Sequence, residues 1–147
     1  MIDRLLKWLG GSPHDAAPAL QVEQAVAAML HEMARMDYEV RAEDLDVARA
    51  ALIDLLDVQA TQADALLAEA RANAVRLTSY HEPISAINAA FDPDKKIRLI
   101  EHLWSVAHAD DDLHAHEDHL VRKLSDLLYI PHLQMMLARQ RVRERKR

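Results

Sequence analysis

Glycine is almost missing from this chain, and that scarcity constrains its fold more than any other feature. Of 147 residues only Gly10 and Gly11 are glycine, side by side near the start. Tight strand reversals favour residues that tolerate positive φ, glycine above all, so a sheet-rich fold has little to turn on after residue 11. The residues that are abundant, alanine, leucine, glutamate and arginine, are good helix formers. Aromatic residues, which strands prefer, make up only 4%. The expected fold class is all-α.

Apolar spacing supports helices along nearly the whole chain. In residues 1–9, Ile2, Leu5, Leu6 and Leu9 fall on one side of a short amphipathic segment, and Gly10-Gly11-Ser12-Pro13 breaks it. Residues 1–18 therefore read as this segment plus a linker. A first bundle helix is expected over about 19–36, with Val22, Val26, Met29, Met33 and Met36 as its apolar stripe. A second covers about 42–56, with Leu45, Leu52, Leu55 and Leu56 inward. A third covers about 59–75, with Thr61 as cap and Ala63, Leu66, Leu67 and Ala70 inward. A fourth runs from about 80 to 91 and must hold Pro83 in its first turn. Asp92-Pro93 restarts the chain as cap and first helical residue. The fifth helix then carries Ile97, Ile100, Trp104 and Ala107 on one face and ends near Ala109. A sixth, about 115–128, buries Leu120, Val121, Leu124 and Leu127. Pro131 opens a last helix with Leu133, Met136 and Leu137, which runs into the basic tail. The domain proper spans 19–138, and 139–147 is a basic C-terminal tail.

Half of the residues are hydrophobic, enough to order one core in a chain of this length. The absence of cysteine excludes disulfides, thiolate metal sites and cysteine nucleophiles. No apolar run approaches the roughly 20 residues of a membrane-spanning helix. The first nine residues lack the apolar length and cleavage site of a signal peptide, so cytoplasmic residence is expected. The net charge of −6 hides an asymmetry: residues 139–147 carry six basic side chains and one acid, which leaves −11 on the remainder. An acidic body with a basic end suits cations or basic partners better than nucleic acid. Trp8 on the amphipathic segment and the basic end leave room for a weak peripheral membrane contact.

A degenerate internal repeat lies within this pattern. Residues 34–44 (ARMDYEVRAED) align with 107–117 (AHADDDLHAHE), pairing Asp37 with Asp110, Glu39 with Asp112, and Asp44 with Glu117. After one gap, Asp54-Leu55-Leu56 matches Asp126-Leu127-Leu128. Each copy reads as helix, acidic turn, helix, so two such hairpins form a pseudo-symmetric bundle. A helix–A-x-x-D-G-[ED]-[VIL]-x-x-x-E–helix unit occurring twice resembles the TerB-like superfamily of tellurite resistance proteins, which includes the N-terminal domain of DjlA-type co-chaperones. Residues 96–128 carry the strongest likeness, and it extends over about 22–141. The chain departs from the pattern where the motif glycine is Tyr38 or Asp111, and where the next acid is Arg41 or His114. The resemblance implies a compact bundle of about seven helices and a divalent-metal site built from the acidic turns. It also implies a binding or scaffolding role linked to tellurite and other chemical stress, with no catalytic mechanism.

The residues themselves support that site chemistry without requiring it. Asp37, Glu39 and Asp44 form one candidate metal set; Asp110, Asp112 and Glu117 form the other. All-oxygen clusters suit calcium, magnesium or manganese. Asp44 and Glu117 also sit where acids favour a helix start without any metal. An EF-hand is excluded, because the places of its glycine and bidentate glutamate hold Ala115 and Val121, or Ala42 and Ala48. Zinc is a further option through His102, His108, His114, His116 and His119. The HExxH signature is absent: His31-Glu32, His81-Glu82 and His116-Glu117 each lack the second histidine. No nucleophile–base set or phosphate-cradling loop occurs around Ser85 or Ser105, so an enzyme is not expected. Met29, Met33, Met36, Met135 and Met136 read as core fillers. A metal-linked interaction module and a metal-independent helical scaffold remain the two functional alternatives.

Overall fold

The computed structural model describes residues 20–35, 40–74, 80–108 and 115–145. Among them are seven helices and no strand: α1 (Val22–Ala34), α2 (Ala42–Leu56), α3 (Ala60–Asn73), α4 (His81–Ala90), α5 (Pro93–Ala107), α6 (Ala115–Leu127) and α7 (His132–Arg145). The all-α expectation is met. The acidic turns at 36–39 and 109–114 fall outside the described residues, as do residues 1–19 with Trp8.

Two helices organise the rest. Helix α1 packs against α2, α3, α4 and α5, while α5 packs against α1, α2, α6 and α7. The sequence of α1 explains its central place. Ala25, Val26, Ala27, Met29, Leu30, Met33 and Ala34 are all buried, so the helix is apolar nearly all round rather than along one stripe. Alanines on several sides let neighbouring helices approach closely. Helix α5 buries Leu99, Ile100, Leu103, Trp104, Val106 and Ala107 and keeps Asp94 and Arg98 exposed. Each fully buried Leu or Ile here contributes about 1.5–3 kcal/mol through removal from water.

The helix starts follow capping chemistry. Asp92 Oδ1 accepts the Lys95 N–H at 2.8 Å, and Pro93 occupies the first helical position. Pro83 lies buried in the first turn of α4, where its missing N–H is harmless. Thr61, expected as a cap, instead sits exposed in the first turn of α3, which starts after Gln59 with no side-chain cap. Helix α2 ends at Asp57 with φ 56°, and α6 is followed by Tyr129 with φ 61°. At the latter end the Ile130 N–H donates to Ser125 O at 2.9 Å, closing a Schellman-type stop.

One inward assignment, Leu127, is overturned at the C-terminal end, and the apolar residues named on the last helix are partly exposed. Leu127, Leu133 and Leu137 are 40%, 66% and 38% exposed, while Leu128, Met135, Ala138 and Val142 are buried. Helix α7 is turned so that Met135 O accepts the buried Trp104 indole N–H at 3.3 Å, and Arg139 stacks 5.3 Å from the Trp104 ring centre. The segment expected as a basic tail continues α7 as far as Arg145. Arg141 and Arg145 both pair with Glu101 of α5, at 3.3 Å and 2.5 Å. Opposite charges therefore lock the α7 terminus against α5.

Candidate metal turns and a buried polar cluster

Of the six carboxylates expected to hold a metal, Asp44 and Glu117 lie in the described residues; Asp37, Glu39, Asp110 and Asp112 lie outside them. Both described members are buried, at 2% and 1% exposure. Each occupies the first turn of its helix, α2 or α6, on the side that faces the core. Asp44 is held there by its own backbone: Oδ2 accepts the Arg41 N–H at 3.0 Å, the side-chain half of a capping box. The acids at the start of these helices also lie at the positive end of the helix dipole. Among the described residues, no group of three or more His, Asp or Glu side chains is placed to hold a metal ion.

The histidines of the second repeat do not gather in the described residues. His116 and His119 are exposed on α6. His102 points across to α2, where its Nε2 lies 2.7 Å from Asp54 Oδ2. Arg98 holds the other oxygen of Asp54 at 2.8 Å. These two hydrogen bonds, Arg98 first and His102 second, hold the Asp54 carboxyl below the usual carboxylate range. The set ties α5 to α2 and leaves His102 committed. His114 is outside the described residues. Of the methionines expected as core fillers, Met29, Met33 and Met135 are buried and Met136 is half-buried, while Met36 lies outside the described residues.

A polar cluster that the sequence had not singled out lies inside α1. His31 and Glu32 are only 5% and 3% exposed. Glu32 is well satisfied: Arg35 donates to it through Nε at 2.7 Å and Nη2 at 2.8 Å, and the Tyr80 hydroxyl donates at 3.0 Å. Burial, followed by the Glu32 charge, pushes the Tyr80 phenol up to about 12. His31 is less well served, because its buried Nε2 has no hydrogen-bond partner. Burial holds this imidazole below its ordinary range, and the cations of Arg35 and Arg71 add to the shift, against the opposing pull of Glu32. The signal was present in the sequence, as a His-Glu pair set between Met29-Leu30 and Met33 on an otherwise apolar helix.

His31 and Glu32 also border a groove of about 200 Å³ between α1, α3 and α4, with Leu20, Ala28, Leu66 and Ala70 in its lining. A second cavity, about 270 Å³, lies on the other side of α3 against α2, where Leu45, Arg49, Leu67 and Arg71 line it. Helix α3 buries only Ala63 and Leu67, and this thin contact leaves open space on both its flanks.

A family model described as tellurite resistance protein TerB matches residues 23–140, from α1 to the middle of α7. No curated protein and no solved structure matches the chain.

Proposed function

The chain belongs to the family of tellurite resistance protein TerB, and from that premise we propose that it is a non-catalytic binding module for chemical-stress responses, linked to a divalent cation. The observation that carries this is the matched burial of Asp44 and Glu117 at equivalent places in the two repeats. In both repeats the sequence just before adds two more acids, Asp37 and Glu39 or Asp110 and Asp112. Crowding carboxylates raises their energy unless a cation neutralises them. The donor set is all oxygen, which fits calcium, magnesium or manganese better than zinc. The ion would neutralise each set and tie the turn to the helix that follows.

Partners would be met on helix faces rather than in a catalytic cleft. Leu133 and Leu137, one turn apart on α7, are 66% and 38% exposed, and Tyr129, before that helix, is 80% exposed. Tyr129 holds a left-handed backbone that glycine adopts more cheaply, a cost proteins keep mainly where the side chain is used. No helix among the described residues is long and apolar enough to cross a membrane. A cytoplasmic module that acts through a protein partner fits these features.

The alternative is a metal-independent scaffold, and one observation favours it: Asp44 already accepts the Arg41 N–H, so helix capping gives it a structural role without an ion. Equilibrium dialysis of chelator-treated protein against calcium, magnesium, manganese and zinc separates the two. Saturable uptake that Asp37→Asn and Asp110→Asn each reduce is the expected result. No uptake of any of the four leaves the scaffold.

A further inference from the structure

Helix α3 is held more weakly than its neighbours. It buries only Ala63 and Leu67 of its 14 residues, fewer than any other described helix. Two polar contacts assist it, Arg49 with Asp64 and Gln24 with Glu69, each at 2.6 Å, but both are exposed and add little. Beneath this helix, on α1, sits His31, which borders the spaces on both flanks of α3. The ring is 5% exposed and its Nε2 has no hydrogen-bond partner. A neutral imidazole tolerates that place. An imidazolium there would hold a charge and an unpaired N–H away from water.

The charges around His31 decide which neighbour a protonated ring would displace. On α1, Glu32 attracts the proton, but burial outweighs it, and its carboxylate is already engaged by Arg35 and Tyr80. Helix α2 brings Arg49, which is paired with Asp64 of α3. Helix α4 brings Glu82, an exposed acid at the rim. Helix α5, also packed on α1, has no charged side chain bordering either space among the described residues. Helix α3 itself brings Asp64 and Glu69, both in the exposed contacts, and Arg71, whose charge opposes protonation. An imidazolium thus meets a like charge on the helix least able to resist it.

We propose that His31 is a proton-driven latch for α3: in mild acid the ring takes up a proton and α3 comes away from α1 while the rest of the bundle stays folded, uncovering Ala63, Leu67 and the α1 face beneath them. This is a local opening, distinct from a general loss of stability in acid. In the open form the ring returns to water and titrates near 6.5. Below that value the opening constant therefore rises up to about tenfold per pH unit, until the buried ring protonates as well. Only an opening that exposes His31 carries this dependence.

Native-state amide exchange of the full chain at pH 7.5 and 5.5, each amide referred to its intrinsic rate at that pH, tests the latch. Amides of Leu66, Leu67 and Ala70 should be roughly tenfold or more less protected than those of Leu103 and Trp104 in α5, the mark of a separate opening. Their protection should fall about tenfold between the two pH values, as titration of an exposed ring near 6.5 implies. His31→Leu and His31→Gln, neutral throughout, should each abolish the fall in α3, and Arg71→Gln, at an exposed site, should lessen it. Equal protection of α3 and α5 would overturn the proposal, because α3 would then open only with the whole bundle. A separate α3 opening that ignores pH, or a fall that persists in both His31 variants, would overturn it too.

Discussion

Replacing His31 with leucine should flatten the acid side of the stability profile. The imidazole is 95% buried, its Nε2 has no partner, and burial holds its pKa below the ordinary 6.5. In the unfolded chain the same ring returns to about 6.5. Below that pH the unfolded state takes up a proton that the folded state refuses, so stability falls as pH drops from 6.5 toward the folded value. Above about pH 7.5 both states carry a neutral ring and the term vanishes. Each unit by which the folded pKa lies below 6.5 costs about 1.4 kcal/mol once the pH is beneath both values. His31→Leu removes this term and also the unpaired buried nitrogen, whose desolvation costs about 1–3 kcal/mol. The variant should therefore match or exceed the parent protein at pH 8. Its advantage should grow between pH 6.5 and 5. Urea melts at half-unit steps from pH 8 to 5 measure the difference, and the other eight histidines, common to both proteins, largely cancel. Parallel profiles for parent and variant across this range would refute the buried, neutral state of His31.

Other perturbations check the packing and the helix ends. Asp92→Ala removes the hydrogen bond to the Lys95 N–H and should cost about 1 kcal/mol in urea melts. Met135→Ala should cost about 2–5 kcal/mol, whereas Leu133→Ser, at an exposed site, should stay within about 0.5 kcal/mol; the reverse order would contradict the orientation of α7. Glu101→Gln frees Arg141 and Arg145, whose side chains are 43% and 60% exposed. It should cost less than about 1 kcal/mol, diminish in high salt, and speed amide exchange in the last turn of α7.

The parts of the fold legible in the sequence were those set by local chemistry. The bounds of α2, the Asp92-Pro93 restart and the place of Pro83 follow from residues within one turn of each other. Tertiary choices were not legible. Around Met135-Met136-Leu137-Ala138 apolar residues occur on every side of α7, and spacing alone cannot say which side faces inward. The choice is made by Trp104, about thirty residues earlier, which needs the Met135 carbonyl as acceptor. The pairing of Arg141 and Arg145 with Glu101 is of the same kind: six basic residues in a row of nine look like a solvated tail until α5 is beside them. Core alanines such as Ala25, Ala48 and Ala51 are indistinguishable in sequence from exposed ones such as Ala42 and Ala60. Of the candidate site, the pairing of Asp44 with Glu117 was visible through the repeat, and the structure adds that both are buried. The His31–Glu32–Tyr80 cluster joins positions nearly fifty residues apart, which no local pattern encodes.

Thermal melts of the parent protein and the Asp110→Asn/Glu117→Gln variant, each with chelator and with calcium, magnesium, manganese or zinc, test cation linkage most directly. An ion at a hundredfold excess over its dissociation constant stabilises the folded state by about 2.7 kcal/mol. For a chain of this size that corresponds to a rise in Tm of about 5–10 °C. The expected result is such a rise in the parent for at least one ion and none in the variant. With chelator, the variant should be as stable as the parent or slightly more so, because crowding of carboxylates is relieved. No shift for any of the four ions, together with a less stable chelated variant, would contradict cation linkage and leave the buried acids as helix-start anchors of a metal-independent scaffold.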